Sequence, residues 1–228
     1  MNNIMLESLF FGTAISIAGY IAGVLLHKKL SVINPLLTAI VFVILALKIF
    51  KIDYETYNIG AEYISYLLTP ATVCLAIPLY RQISVLKAHA KEVFIGILSG
   101  VIASMGSILL MSYLFGLTHE QYVTLLPKSI TTAIGIGVSD ELGGIQAITI
   151  AVIIITGVLG NIIAEWILKL FRIKDPVAKG LAIGTSAHAI GTTKALEMGE
   201  IEGAMSSLSI AVAGLMTVAA ASFFASLF

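Results

Sequence analysis

The chain has 228 residues, 58% hydrophobic and only 11% charged, with a formal net charge of zero. A soluble domain carries about 25% charged residues, so this composition excludes an ordinary soluble domain, and with no basic excess nothing points to nucleic acid as a partner. Cys74 is the one cysteine, which excludes an internal disulfide and a cysteine-based metal cluster; it reads as a small apolar filler.

Apolar runs of about 20 residues are long enough to cross a hydrocarbon core of about 30 Å. Taken in chain order they predict six spans, roughly 6–26, 34–50, 62–80, 92–116, 145–168 and 203–227. The first has no basic residue before it and no clear cleavage site, so it is read as a span and not as a signal peptide. Gly12, Gly19 and Gly23 within it permit close helix approach, and a homodimer scaffold is expected from the first two spans. Pro35 suits the first turn of the second span. Pro70 and Pro78 each remove a backbone donor, so the third is expected to be kinked or broken. Trp166, near the end of the fifth, reads as an interfacial belt residue.

Two segments remain, about 125–144 and 178–200, too polar and too short for ordinary spans. Basic residues gather on the cytoplasmic side of membranes. The loops 27–33, 81–91 and 169–180 hold nine of the 13 Lys and Arg residues, and placing all three inside requires 125–144 to begin and end outside, as a re-entrant hairpin. Limbs of eight or nine residues would reach about 13 Å, close to the midplane.

The two segments also copy each other. Ala133-Ile134-Gly135 with Glu141, Gly143 and Ile145 recurs 56 residues later as Ala189-Ile190-Gly191 with Glu197, Gly199 and Ile201, six identities in 15 aligned positions. The second segment is therefore expected to be a hairpin entering from the cytoplasm, followed like the first by a span. One hairpin plus one span is an odd number of crossings, which makes 122–171 and 178–227 an inverted internal repeat, the arrangement of many carriers. The expected fold is all-α and multi-pass, a single domain over 1–228, with a scaffold at about 1–60 and a transport part over 61–228.

Non-helical backbone at membrane depth must line a polar cavity or be buried in protein, and broken helix ends offer N–H groups to an anion. The hydroxyls of Thr131, Thr132, Ser186, Thr192 and Thr193 add neutral donors, and the combination fits a small carboxylate. Lys128 is either an interfacial residue or a source of positive charge for the substrate, and Lys194 is a second source. His188 is either a satisfied polar residue or a proton carrier. Glu141 and Glu197 read either as acids serving the dipole of the following helix or as ion-coupling groups, and Asp140 as the same kind of residue. Asn161 and Glu165 lie one turn apart in the fifth span. Glu165 is either functional, as intramembrane acids are by default, or a partner of Lys169 or Arg172. Nothing in the sequence calls for a cofactor, a metal or a catalytic triad, and no enzymatic role is expected.

These residues also carry a resemblance. Leu126-Pro127-Lys128-Ser129-Ile130-Thr131-Thr132 with Asp140-Glu141-Leu142-Gly143-Gly144-Ile145 resembles the central motif of the LrgB/CidB membrane protein family. Ala187-His188-Ala189-Ile190-Gly191-Thr192 with Ala195-Leu196-Glu197-Met198-Gly199-Glu200 is similar to its second motif, with Ala189 where a Gly is expected. Leu68-Thr69-Pro70-Ala71-Thr72-Val73, continuing through Leu75-Ala76 and Pro78-Leu79-Tyr80, resembles its N-terminal motif. The resemblance implies two competing functions in the bacterial cytoplasmic membrane. One is secondary transport of a small monocarboxylate of the glycolate, glycerate, lactate or pyruvate class, as in the plastid glycolate/glycerate translocator and bacterial pyruvate carriers. The other is a holin- or antiholin-like role in murein hydrolase export and lysis. It also implies that any small LrgA/CidA-like membrane partner is a separate chain. The polar hairpins favour the carrier, since a simple pore would place polar stripes along full spans.

Overall fold

The computed structural model describes residues 10–29, 35–67, 70, 73–74 and 76–228, and these residues are mostly helical, with short turns between helices and no strand among them. They divide into two compact units, Met1–Cys74 and Leu75–Phe228.

The first unit contains α1 (Phe11–Lys29), α2 (Pro35–Phe50) and α3 (Tyr54–Ser65). Pro35 opens α2, where its missing N–H costs nothing. α1 packs on both α2 and α3 through its glycines. A Cβ at Gly12 would collide with Tyr57 O and Ala61 N, one at Gly19 would lie 2.9 Å from the Phe42 ring, and one at Gly23 would meet Pro35 O. The approach is close enough for Thr13 Oγ1 to donate to Gly60 O (2.6 Å) and for Ser16 Oγ to bond the Tyr57 hydroxyl (2.8 Å). Within this unit the three glycines serve the approach of α1 to α2 and α3. Bare backbone lets helices of the same unit touch, and all three glycines are buried there.

The second unit contains α4 (Ala76–Arg81), α5 (Ile83–Ala88), α6 (Ala90–Phe115), α7 (His119–Leu125), α8 (Thr132–Glu141), α9 (Gln146–Leu170), α10 (Pro176–Met198) and α11 (Glu200–Ala225). Local chemistry sets several of these boundaries. α6 stops at Gly116, whose φ of 61° is the left-handed conformation that favours glycine. α7 starts with a capping box between Thr118 and Gln121. Asp175 caps α10 by accepting from Ala178 N at 2.8 Å, with Pro176 in the first turn. The core gathers Val93, Ile97, Val101 and Met105, which recur every fourth residue on one face of α6. Tyr122, Val123, Leu126, Ala204, Met205 and Ala213 belong to the same buried cluster. Among the described elements α11 is lined most heavily with small buried residues, including Gly203, Ala204, Ser206, Ser207, Ser209, Ala213 and Gly214.

Four helices, α1, α6, α9 and α11, have the length and composition to cross a membrane, and the chain is a multi-pass membrane protein. The expected count of six full spans is not met among the described residues. α2 is apolar but has only 16 residues, about 24 Å at 1.5 Å per residue. The third expected span, 62–80, is not one helix: α3 ends at Ser65 and α4 begins at Ala76. Leu68, Thr69, Ala71, Thr72 and Leu75, which carry part of the N-terminal motif, lie outside the described residues. Cys74 is exposed in this structure and not a buried filler.

The glycine contacts make a paired prediction for the spans. Gly12→Val should lower the melting temperature of the detergent-solubilised protein, with a cost of about 1–3 kcal/mol for overpacking. Gly106→Ala should leave it unchanged or higher, since a Cβ there meets nothing within 4 Å. Equal melting of the two variants would contradict the packing of α1.

Candidate functional site

Both polar segments fold back on themselves. In the second, α10 is broken at His188, whose φ of 41° and ψ of −141° are non-helical. The limb before the break runs alongside α11: Gly180 meets Glu202 and Met205, and Gly184 meets Ser206 and Ser209. The limb after it runs the other way, Thr192 bonding Ser206 and Leu196 packing on Gly203. The two limbs are thus antiparallel to each other on one face of α11, and Gly191 comes back to within contact of Ile183.

The first segment does the same with α7, α8 and α9. Thr124 of α7 bonds Ile145 N and receives the Thr149 hydroxyl on its carbonyl (2.9 Å), while Pro127 O lies beside Gly135. On the returning limb Ser139 bonds Thr149 (2.7 Å) and Gly135 abuts Ile153. α7 therefore runs with α9, and α8 runs against it.

Each hairpin tip reaches the span that belongs to the other. Ile134, two residues into α8, sits on Gly214 of α11. Its counterpart 56 residues on, Ile190, sits on Gly157 of α9. His188 lies over Gly157 as well, and Ala187 over Gly160. The element boundaries repeat at nearly the same offset: α8 begins at Thr132 where α10 breaks at His188, and α9 begins at Gln146 where α11 begins at Glu200.

The expected site residues take up different tasks in this frame. His188 is buried, and its Nε2 donates to Ile153 O at 3.0 Å. A carbonyl can only accept, so Nε2 carries the proton. Thr192 is buried and donates to His188 O (2.9 Å), which leaves the Ser206 hydroxyl as donor to Thr192 Oγ1 (2.7 Å). Thr193 donates to Ile190 O, and Asn161 Nδ2 donates to both Ile190 O and Thr193 Oγ1, each at 2.9 Å. These residues close the break in α10.

Lys194 bonds Glu165 at 2.9 Å and Glu197 at 3.1 Å, and Glu165 also meets Lys169 at 3.4 Å. Lys194 and Glu165, expected separately as substrate and coupling residues, thus form one ion cluster that ties the returning limb of α10 to α9. Glu141 and Glu197 end up in the last turns of α8 and α10, not in the first turns of the helices that follow. That corrects their reading as dipole-serving acids, because the chain pauses at Gly143 and Gly199 before the next helix starts. The acids in the first turn of α11 are Glu200 and Glu202, and α9 has none. Asp140 accepts from Gln146 Nε2.

Lys128 stands at the tip of the first hairpin, donating to Ser129 Oγ at 3.0 Å, and Ser104 of α6 bonds the same hydroxyl at 2.9 Å. Lys128 and Ser186 line one cavity of about 380 Å³ together with Thr156 and Gly160 of α9. Thr131 and Thr132 are partly buried at the start of α8 and do not line it. Sequence reading brought Lys128 and Ser186 into one candidate set but missed Thr156, Ser206 and the Thr124–Ser139–Thr149 network. The signal available for them was a hydroxyl inside each apolar run.

Comparisons with known proteins agree on one lineage. The LrgB-like family matches residues 16–227. The chain is 39% identical over 212 residues to the antiholin-like protein LrgB of Bacillus mycoides (strain KBAB4), covering 92% of both chains. The antiholin-like protein LrgB of Bacillus cereus (strain B4264) and that of Bacillus anthracis (strain CDC 684 / NRRL 3495) are similar to the same extent. No solved structure matches the chain.

Closure of the α10 break can be tested at its most buried bond. Thr192→Val should destabilise the protein by about 1–3 kcal/mol, because Ser206 is left with an unsatisfied buried hydroxyl. Thr192→Ser should restore most of the loss in a thermal melt. Wild-type melting of Thr192→Val would show that the Thr192–Ser206 bond does not hold the hairpin to α11.

Proposed function

The chain belongs to the LrgB-like family, and from that premise we propose that it is an antiholin-like protein of the bacterial cytoplasmic membrane, acting on murein hydrolase export and cell lysis. Similarity to antiholin-like relatives along 92% of both chains carries this reading. It was the second of the two functions expected from the sequence, and the comparisons favour it over the first.

The first expectation, carriage of a small monocarboxylate, is retained as a second reading because of one observation, the pair of hairpins whose tips cross-contact each other's spans through Ile134–Gly214 and Ile190–Gly157. Two repeats joined this way and inverted across the bilayer would expose their interface to the two sides in turn. In this reading the protein moves the carboxylate and the effect on lysis is downstream of it. A homodimer and a separate LrgA/CidA-like membrane partner belong to the same proposal.

Topology tests the inversion. With Cys74→Ala as background, single cysteines at positions 29, 87 and 174 should all be labelled from the cytoplasm only. Labelling of position 174 from outside would mean that 125–144 crosses the membrane, and the inverted arrangement would fall.

Function is tested by separating its two readings. Proteoliposomes are screened for uptake of glycolate, glycerate, lactate and pyruvate, and the variants that abolish uptake are returned to the native host. If lysis is governed through transport, those variants should lose lysis control as well. Normal lysis control in a transport-dead variant would separate the antiholin-like role from any carriage, and absence of uptake for the whole panel would remove the carrier reading.

A further inference from the structure

Two cavities adjoin along one side of α9. The first, about 380 Å³, holds Lys128, Thr156 and Ser186 within walls that are otherwise apolar. The second, about 450 Å³, is lined by Glu165, Lys169, Arg172, Lys174 and Lys179. Leu168 lines both, and it is buried. From Thr156 to Leu168 the helix rises about 18 Å at 1.5 Å per residue. The two cavities thus meet at one buried leucine, with basic side chains lining the second and Lys128 lining the first.

The charge accounting singles out Lys128. Of the three partly buried lysines of the second unit, Lys179 pairs with Glu202 at 3.9 Å and Lys194 with Glu165 and Glu197. Lys128 has no carboxylate within ion-pair distance among the described residues, and its hydrogen-bond partner is the neutral Ser129 hydroxyl. A cation in apolar surroundings without a counter-charge is costly, and an anion in the cavity would remove that cost. Thr156 lines the same space, and its hydroxyl has no hydrogen-bond partner among the described residues. Ser186 donates to Ala182 O at 2.7 Å and keeps its lone pairs. One lysine matches one negative charge, and the volume lies in the range of small-molecule sites; in the second cavity Lys169 and Lys179 are paired with Glu165 and Glu202, which leaves Arg172 and Lys174 to draw anions in.

We propose that the cavity between Lys128, Thr156 and Ser186 seats one small soluble monocarboxylate, which arrives from the second cavity past Leu168. The ligand class rests on the carrier reading. Lys128 provides the counter-charge, Thr156 donates to a carboxylate oxygen, and Leu168 is the constriction. Lys194 and His188, engaged with Glu165 and with Ile153 O, hold the second hairpin in place.

The test uses the full chain with Cys74→Ala and Ile163→Cys, a cavity-lining position without a polar role, in vesicles of zwitterionic lipid. The modification rate by a sulfonate-bearing thiol reagent is measured with and without glycolate, glycerate, lactate and pyruvate, and uptake is followed in the same vesicles. At least one carboxylate should slow modification. Lys128→Gln should weaken that protection by about tenfold or more, on the scale of one charge-assisted hydrogen bond, and Lys128→Arg should keep it. Leu168→Trp should slow the reagent itself. Uptake without protection, or protection that survives Lys128→Gln, would overturn the site. So would protection given only by anionic lipid added to the vesicles. Protection without uptake would uphold the site and remove the carrier reading on which its ligand class rests.

Discussion

The backbone break at His188 is the constraint on which the second unit depends. A helix interrupted among buried residues frees N–H and C=O groups that must find partners within the protein, at several kcal/mol each if they do not. The structure answers from three elements. Thr192 of α10 bonds the His188 carbonyl, Asn161 of α9 bonds the Ile190 carbonyl, and the imidazole itself bonds the Ile153 carbonyl of α9. Ser206 of α11 then ties Thr192 to the neighbouring helix. A hairpin held by α9 on one side and α11 on the other cannot move without exchanging these bonds.

Close approach makes those bonds available. Gly157 and Gly160 leave α9 bare where His188, Ala187 and Ile190 press on it, and Gly180 and Gly184 let α10 lie directly on the α11 backbone. In lipid the apolar effect gives helices little reason to associate, so small residues that allow dense packing take over that role. The first hairpin uses the same means with other residues: Gly135 and Gly144 admit Ile153 and Ser139, and Thr124 and Thr149 carry the bonds between α7 and α9.

Charge is divided between the ends and the middle of the second unit. Glu165, Lys169, Lys194 and Glu197 compensate one another near the basic end of α9. Their pairs are partly exposed, and such pairs contribute about 1 kcal/mol or less, so their effect is on where α10 docks more than on total stability. Lys128 lies apart from them, bonded to Ser129 and through it to Ser104 of α6. The two lysines that sequence reading treated alike therefore differ in kind: one is internally neutralised, and the other still carries a charge to be met.

Much of this was legible in the chain itself. Apolar run length marked α1, α6, α9 and α11 to within a few residues, because a span is a one-dimensional property of composition. The recurring Ala-Ile-Gly and Glu-x-Gly-x-Ile segments marked both hairpins and tied them to the spans that follow, because like sequences fold alike. The resemblance of Leu126–Thr132 and Ala187–Thr192 to known motifs pointed to the family that the comparisons bear out. The partner of each polar group was decided only by tertiary structure. Sequence places Lys128 and Lys194 in matching hydroxyl-rich segments, yet whether a lysine meets a carboxylate depends on which helix crosses it and at what height. Gly12, Gly19 and Gly23 likewise declare a close approach without saying to what, and only the packed unit shows that α2 and α3 fill it. Spacing along the chain fixes which residues share a helix face; distances between elements far apart in sequence arise from packing, which no local pattern encodes.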